Sequence, residues 1–140
     1  MMKEEVILPR PLVNQILNQA QKSPDVEVCG LVGARERQPS SCYGVENIAE
    51  SPCKRFLMKP EEQIEAMRKI RGKGEELFAI YHSHPSAPPK PSPIDLDQAN
   101  YPGILHIIIS LNTKGVLEMR GFRIDDHHDV EEVALRLRNG

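Results

Sequence analysis

The chain has 140 residues, 39% of them hydrophobic and 27% charged, with 18 Lys and Arg against 20 Asp and Glu and a formal net charge of −2. That length supports one domain with a substantial core, and a slightly acidic balance with no broad basic surface argues against a nucleic-acid partner. No apolar run approaches membrane-spanning length, and Met1-Met2-Lys3-Glu4-Glu5 lacks the apolar stretch of a signal peptide, so a soluble cytoplasmic protein is expected.

A short opening strand is predicted around Val6 to Leu8. After Pro11, apolar residues at Leu12, Val13, Ile16, Leu17 and Ala20 recur at helical spacing, predicting a first helix that ends near Ser23-Pro24. A strand from Val28 to Ala34, a polar turn region and a strand around Cys42 to Asn47 follow, then a loop through Ser51-Pro52 and a short extended piece at Phe56 to Met58. The cysteines, Cys29, Cys42 and Cys53, are odd in number and lack Cys-x-x-Cys spacing, so reduced thiols are expected rather than a disulfide framework or a cysteine zinc site.

Pro60 starts a second helix, amphipathic through Ile64, Met67 and Ile70, running to about Arg71 and stopped by Gly72-Lys73-Gly74. The apolar run Leu77-Phe78-Ala79-Ile80-Tyr81 predicts a strand with His82 and His84 at or just past its end, where alternate residues share a face. Ser86 to Pro91 is too rich in proline to be strand or helix. Ser92 then suits an N-cap, Pro93 the first helical position and Asp95 the third, predicting a helix from Pro93 to about Asn100.

Pro102-Gly103 breaks the chain before Ile104 to Ser110, the most apolar run present, which reads as a central strand covered on both faces. His106 within it is expected to be a hydrogen-bonded core histidine. A hairpin at Asn112 to Gly115 leads to a strand from Val116 to Ile124. The polar run Asp125 to Asp129 reads as a solvated loop whose last residue caps a final amphipathic helix from Val130 to Leu137. Strands interleaved with helices, plus a hairpin, predict an α/β fold with a mixed sheet, and no repeat or linker divides residues 1–140 into more than one domain.

The chemistry concentrates in fourteen residues, His82-Ser83-His84-Pro85 through Ser92-Pro93-Ile94-Asp95. Two imidazoles and a carboxylate form a three-ligand set that leaves the fourth tetrahedral position to water, the mark of a catalytic zinc site. Zinc-bound water is acidified to a pKa of roughly 7 and serves as a nucleophile, but amide hydrolysis also needs a proton shuttle, hence a second carboxylate. Taken singly, each feature has a plainer reading. A His-x-His pair is common as packing, and Ser-x-x-Asp is an ordinary capping box.

The conjunction, with seven residues between His84 and Ser92 and two before Asp95, resembles the JAMM (MPN-plus) metalloprotease motif. Glu27, just before Cys29-Gly30-Leu31, resembles that family's catalytic glutamate, and Asn47, Ser51-Pro52 and Phe56 also look like the family. The resemblance covers nearly the whole chain. It implies a curved mixed sheet flanked by helices, of the cytidine-deaminase-like type, and one Zn2+ per chain held by His82, His84 and Asp95. It assigns general-base duty to Glu27 and oxyanion stabilisation to Ser92, although spacing alone also suits Ser92 as a helix cap.

The short chain is more similar to the compact prokaryotic members than to eukaryotic deubiquitinases with inserted segments. The implied substrate is therefore the C-terminal Gly-Gly tail of a ubiquitin-like or sulfur-carrier protein, cleaved at a peptide or isopeptide bond. Oligomeric state stays open. A non-haem iron oxygenase also uses two histidines and a carboxylate, but places them in a different order. A non-catalytic MPN scaffold that binds partners is the main alternative, disfavoured by the complete ligand set, and a RadC-like role is disfavoured by the lack of a basic surface.

Overall fold

One mixed sheet of seven strands organises the chain, of which the computed structural model describes residues 4–97, 103–112 and 116–139. In order the elements are β1 (Glu5–Pro9), α1 (Arg10–Lys22), β2 (Cys29–Arg35), β3 (Gln38–Val45), α2 (Pro60–Gly72), β4 (Glu76–His84), α3 (Pro93–Asp97), β5 (Leu105–Ser110), β6 (Glu118–Ile124) and β7 (Val130–Arg138). The strands lie in the order β1-β7-β6-β5-β4-β2-β3. Only β1 with β7 and β4 with β5 run parallel. The sheet curls enough for its two edge strands, β1 and β3, to touch.

The two long helices cover opposite faces. α1 carries Pro11 in its first turn and buries Leu12, Val13, Ile16 and Ala20, the stripe its spacing predicts, against Val32, Ala79, Tyr81, Leu105, Ile107, Ile109 and Val133. α2 carries Glu61 and Glu62 in its first turn and Lys69 and Arg71 in its last, matching the helix dipole, and packs Ala66 and Ile70 on the other face with Cys29, Leu31, Val45, Met58 and Ile80. β5 is buried at every position, as its unbroken apolar run requires.

The face on which the β4 side chains point is decided by one irregularity. The pairing of β2 with β4 slips between Val32 and Gly33, so that Val32 opposes Ala79 and Gly33 opposes Leu77, leaving Phe78 as the extra residue. From Ala79 onward the alternation is regular. Ala79 and Tyr81 face α1, while Ile80, and with it His82 and His84, face the α2 side.

Several expectations need correction. Val130 to Leu137 is not a helix but part of β7, which pairs with β6 on one side and β1 on the other. Its apolar residues fit both periods, and pairing with two strands outweighs a weak local helical preference. Asp129 therefore caps nothing helical. Its N–H donates to Asp125 Oδ1 and its carbonyl accepts from the Asp125 N–H, closing a hairpin in which His128 takes a positive φ of 65°. β3 begins earlier than expected and ends at Val45, and Asn47 instead forms an isolated bridge with Met58. His106 is buried in the core, but its Nε2 has no hydrogen-bond partner. α3 is described to Asp97, so its expected continuation to Asn100 lies outside the described residues, as do 113–115 of the expected hairpin. No described helix is long and apolar enough to cross a membrane, and all three cysteines are free.

Candidate metal centre

β4 delivers His82 and His84 side by side from its last three residues, both 2% exposed. Pro85 ends the strand, and the loop it opens is pinned from both sides. The Ser110 hydroxyl donates to Ala87 O at 2.6 Å, and Pro88 O accepts from His84 Nδ1 at 2.8 Å. In the neutral ring that second bond places the proton on Nδ1, leaving Nε2 with a lone pair aimed at the site. His82 is held differently. Its ring stacks on Phe56 with centroids 4.5 Å apart, while its Nδ1 is buried without a hydrogen-bond partner.

Ser92 and Asp95 make a reciprocal cap at the start of α3. The Ser92 N–H donates to Asp95 Oδ2 at 2.9 Å and the Asp95 N–H donates to Ser92 Oγ at 3.1 Å. The ordinary and the functional readings of this segment therefore coexist. The cap freezes Asp95 so that the same Oδ2 lies 3.1 Å from His82 Nε2 and 3.1 Å from His84 Nε2, and the two Nε2 atoms are 3.1 Å apart. Because the Ser92 oxygen accepts a bond, its hydroxyl hydrogen is available to another acceptor.

Glu27 arrives from the segment before β2 and is only 4% exposed. Ser83, fully buried and pointing to the opposite face from the histidines, docks that segment. Its Oγ accepts the Val28 N–H at 2.9 Å and its N–H donates to Val28 O at 3.0 Å. Glu27, His82, His84 and Asp95 each present a donor atom within 4.8 Å of the others, and Glu27 Oε1 is buried with no hydrogen-bond partner.

These observations test whether a metal fits. Tetrahedral zinc with bonds of about 2.0–2.1 Å places its ligand atoms about 3.3–3.4 Å apart. The triangle of two nitrogens and one oxygen, 3.1 Å on each side, is close to one face of such a tetrahedron. Three lone-pair-bearing atoms this close repel one another unless a proton or a cation lies among them. The donor set suits a divalent metal of the zinc type.

Electrostatics within the cluster follow from burial and mutual contact. Burial pushes Glu27 up to about 7, with the charge of His84 opposing and that of Asp95 adding to the rise. Burial alone would also raise Asp95, but its hydrogen bonds with His82 and His84, the His82 charge and the Ser92 N–H hold it well below the usual carboxylate range. Burial drives His82 below an ordinary imidazole despite Asp95. Burial acts the same way on His84, yet Asp95, the Pro88 carbonyl and Glu27 carry it above. His106 drops to about 4 through burial first and the His82 charge second, so it stays neutral near pH 7.

All five residues singled out in the sequence thus meet at one place. What the sequence reading missed is their outer support, from Ser83 and the Pro88 carbonyl. Ser83 carried a faint signal as a hydroxyl in an otherwise apolar stripe with Ala79 and Tyr81.

Residues 9–125 match the family described as prokaryotic homologs of the JAB domain. The chain is 33% identical over 89 residues to a desampylase of Haloferax volcanii, spanning 62% of this chain and 64% of that protein. It is 29% identical over 130 residues to a desampylase of Pyrococcus furiosus, spanning 93% of this chain and 89% of that protein. A CysO-cysteine peptidase of Mycobacterium tuberculosis is 26% identical over 129 residues, 91% of this chain and 88% of its own length. Among solved structures, a protein of Desulfitobacterium hafniense superposes with a TM-score of 0.85 at 28% identity, covering 96% of this chain and 94% of that one. A JAB1/MPN domain protein from Archaeoglobus fulgidus superposes with a TM-score of 0.64 at 20% identity, covering 98% of this chain and all of that one (100%), which is a likeness of fold.

Proposed function

The chain belongs to the prokaryotic homologs of the JAB domain, and from that premise we propose that it is a zinc-dependent hydrolase cleaving the peptide or isopeptide bond at the C-terminal Gly-Gly tail of a ubiquitin-like or sulfur-carrier protein. The observation that carries this reading is the convergence of Glu27, His82, His84 and Asp95 on one point, with a buried Glu27 oxygen left unpartnered. The relatives named as desampylases and as a CysO-cysteine peptidase support the substrate class.

His82, His84 and Asp95 would hold the metal. Zinc bound there supplies Lewis acidity, which polarises a carbonyl and makes water easier to deprotonate. The rest falls to the chain itself. Glu27, whose pKa burial pushes up to about 7, is matched to taking a proton at Oε1 and returning it to the leaving amine near neutral pH. The Ser92 hydroxyl, anchored through its oxygen by the Asp95 N–H, is free to donate to the oxyanion that develops on the scissile carbonyl. Selectivity for a Gly-Gly tail would follow from an approach too narrow for larger side chains, which is selectivity by exclusion.

The 140 residues act as one catalytic domain, and a cytoplasmic setting, where thiols stay reduced, fits the three free cysteines. The test is metal content of protein purified without added metal, with a chelator-sensitive cleavage assay on a ubiquitin-like protein extended past its Gly-Gly tail. About one zinc per chain with chelator-blocked cleavage is expected. Asp95→Ala should lose both metal and turnover. Iron, or no tightly held metal, would overturn the assignment, and zinc without cleavage of any Gly-Gly-tailed substrate would favour a binding scaffold.

A further inference from the structure

We infer that Asn47 is a positioning residue that sets the placement of both Glu27 and the His82 ring from a single side chain, an inference that rests on the hydrolase reading above. Asn47 lies just beyond β3, away from the ligand triangle, and every polar atom of its carboxamide is engaged. Nδ2 donates to the carbonyls of Glu27 at 2.9 Å, Arg55 at 3.0 Å and Pro52 at 3.4 Å. Oδ1 accepts the N–H groups of Ala49 and Leu57, each at 3.0 Å. One primary amide has two hydrogens and two lone pairs, and all are committed.

These bonds lead to the site along two routes. The first is direct. Asn47 holds the Glu27 carbonyl, and the Glu27 N–H donates to Pro52 O at 2.7 Å, a carbonyl that Asn47 also contacts. Glu27 is thus gripped at both its peptide groups by Asn47 and the loop that Asn47 folds. The second runs through Phe56. Asn47 binds the residues on either side of it, Arg55 and Leu57, and the Phe56 ring stacks on His82.

What makes these routes matter is what Glu27 and His82 lack. His84 and Asp95 have outer hydrogen bonds of their own, from Pro88 O and the Ser92 N–H. Glu27 Oε1 and His82 Nδ1 are buried with no partner. Apart from the contact of His82 Nε2 with Asp95, the orientation of these two side chains is therefore set by where backbone and packing place them, and Asn47 is the group common to both. A displacement of about 1 Å at a reacting group costs on the order of 10²-fold in rate.

The experiment compares Asn47→Ala and Asn47→Asp with Ile16→Ala. Ile16 lies on the buried side of α1, packed on the opposite face of the sheet, so its truncation supplies a control that loses stability without touching the site. Asn47→Asp keeps an acceptor for Ala49 and Leu57 but loses both donor hydrogens, and it is measured the same way should the alanine variant fail to fold. The first readout is backbone amide exchange of chelator-treated protein, which needs neither metal nor substrate. The Glu27 N–H, which does not bond to Asn47 itself, is expected to exchange at least about tenfold faster in the Asn47 variants than in the control.

The second readout is steady-state cleavage of a ubiquitin-like protein extended past its Gly-Gly tail. There kcat should fall about 10–100-fold with KM within about twofold of wild type. Exchange and kcat that match the Ile16→Ala control would overturn the inference, and so would faster exchange with unchanged kcat. If wild type cleaves no such substrate, the hydrolase reading fails on that result alone, and unaltered Glu27 exchange in the Asn47 variants would overturn the placement of Glu27 separately.

Discussion

Replacing Glu27 by glutamine should disable the site and remove one pH-dependent loss of stability from the metal-free fold, and the two effects are measured separately. Burial raises the Glu27 carboxyl from 4.5 to about 7, so the folded chain binds this proton more tightly than the unfolded one. The stability contributed by Glu27 is fully present below about pH 4.5, is lost progressively as pH rises to about 7, and is flat above that. At about 1.36 kcal/mol per pKa unit the ceiling is about 3 kcal/mol, and solvent screening at the site reduces it to about 1–2 kcal/mol. Glutamine cannot ionise. Whatever its buried amide costs is the same at every pH, so it drops out of the slope. Urea unfolding of chelator-treated wild type and Glu27→Gln at pH 4, 6 and 8 should show the variant gaining about 1–2 kcal/mol on wild type across that range. With zinc restored, the variant should keep its metal and lose about 10²–10⁴-fold in turnover. Parallel pH profiles for the two proteins would refute the buried-carboxylate argument, and retained turnover would remove Glu27 as the base.

Other positions test other parts of the structure. Ser92→Ala should lower kcat by about 10²–10³-fold if the hydroxyl meets an oxyanion, and destabilise by about 0.5–2 kcal/mol as a lost cap. Loss of stability alone in a denaturation series, with kcat intact, would leave it a cap only. Phe56→Ala removes the ring stacked on His82, whose Nδ1 has no other support, and should weaken zinc binding about 10–100-fold in chelator competition. Gly30→Ala would place a Cβ 2.3 Å from the Tyr81 hydroxyl and 2.5 Å from the Tyr43 carbonyl. A thermal melt should show it destabilised by about 1–3 kcal/mol, or more if β2 and β3 must separate.

The parts of this fold that were legible in the sequence are those set by local periodicity. His82 and His84 share a face because residues two apart on a strand do, and Asp95 stands in the first turn of α3 because Ser92-Pro93 starts a helix there. Glu27 is different. It precedes β2, and nothing in its own neighbourhood announces that it will be 4% exposed, so only the resemblance to a family singled it out. Its backbone is held by Asn47 and Pro52 and, through the neighbouring Val28, by Ser83, which are 20, 25 and 56 residues away. β7 failed for the same reason. Val130, Val133, Ala134 and Leu137 fit a helix, Val133, Leu135 and Leu137 fit a strand, and the choice is made by β1 and β6, which offer ladder partners on both sides. The role of Phe78 as the extra residue that orients the histidines is likewise invisible until β2 is paired with β4.

The same non-local assembly makes metal binding a measure of folding. Residues 27, 82, 84 and 95 meet only once β4, α3 and the segment before β2 are in place, so a cation that prefers this site binds the folded chain and not the unfolded one. At zinc a hundredfold above its dissociation constant the linkage amounts to about 2.7 kcal/mol, roughly 10 °C in Tm for a chain of this size. Wild type should therefore melt roughly 10 °C lower after chelation, and Asp95→Ala should show no zinc-dependent shift. The hairpin from Asp125 to Asp129, with its exposed carboxylates and histidines, supplies the competing explanation, since it could take up zinc without forming the site. An Asp95→Ala protein that still gains the full shift would place the metal there and overturn the centre built on His82, His84 and Asp95. A shift that vanishes with Asp95 ties the stabilisation to one carboxylate oxygen, the atom that both caps α3 and faces the two imidazoles.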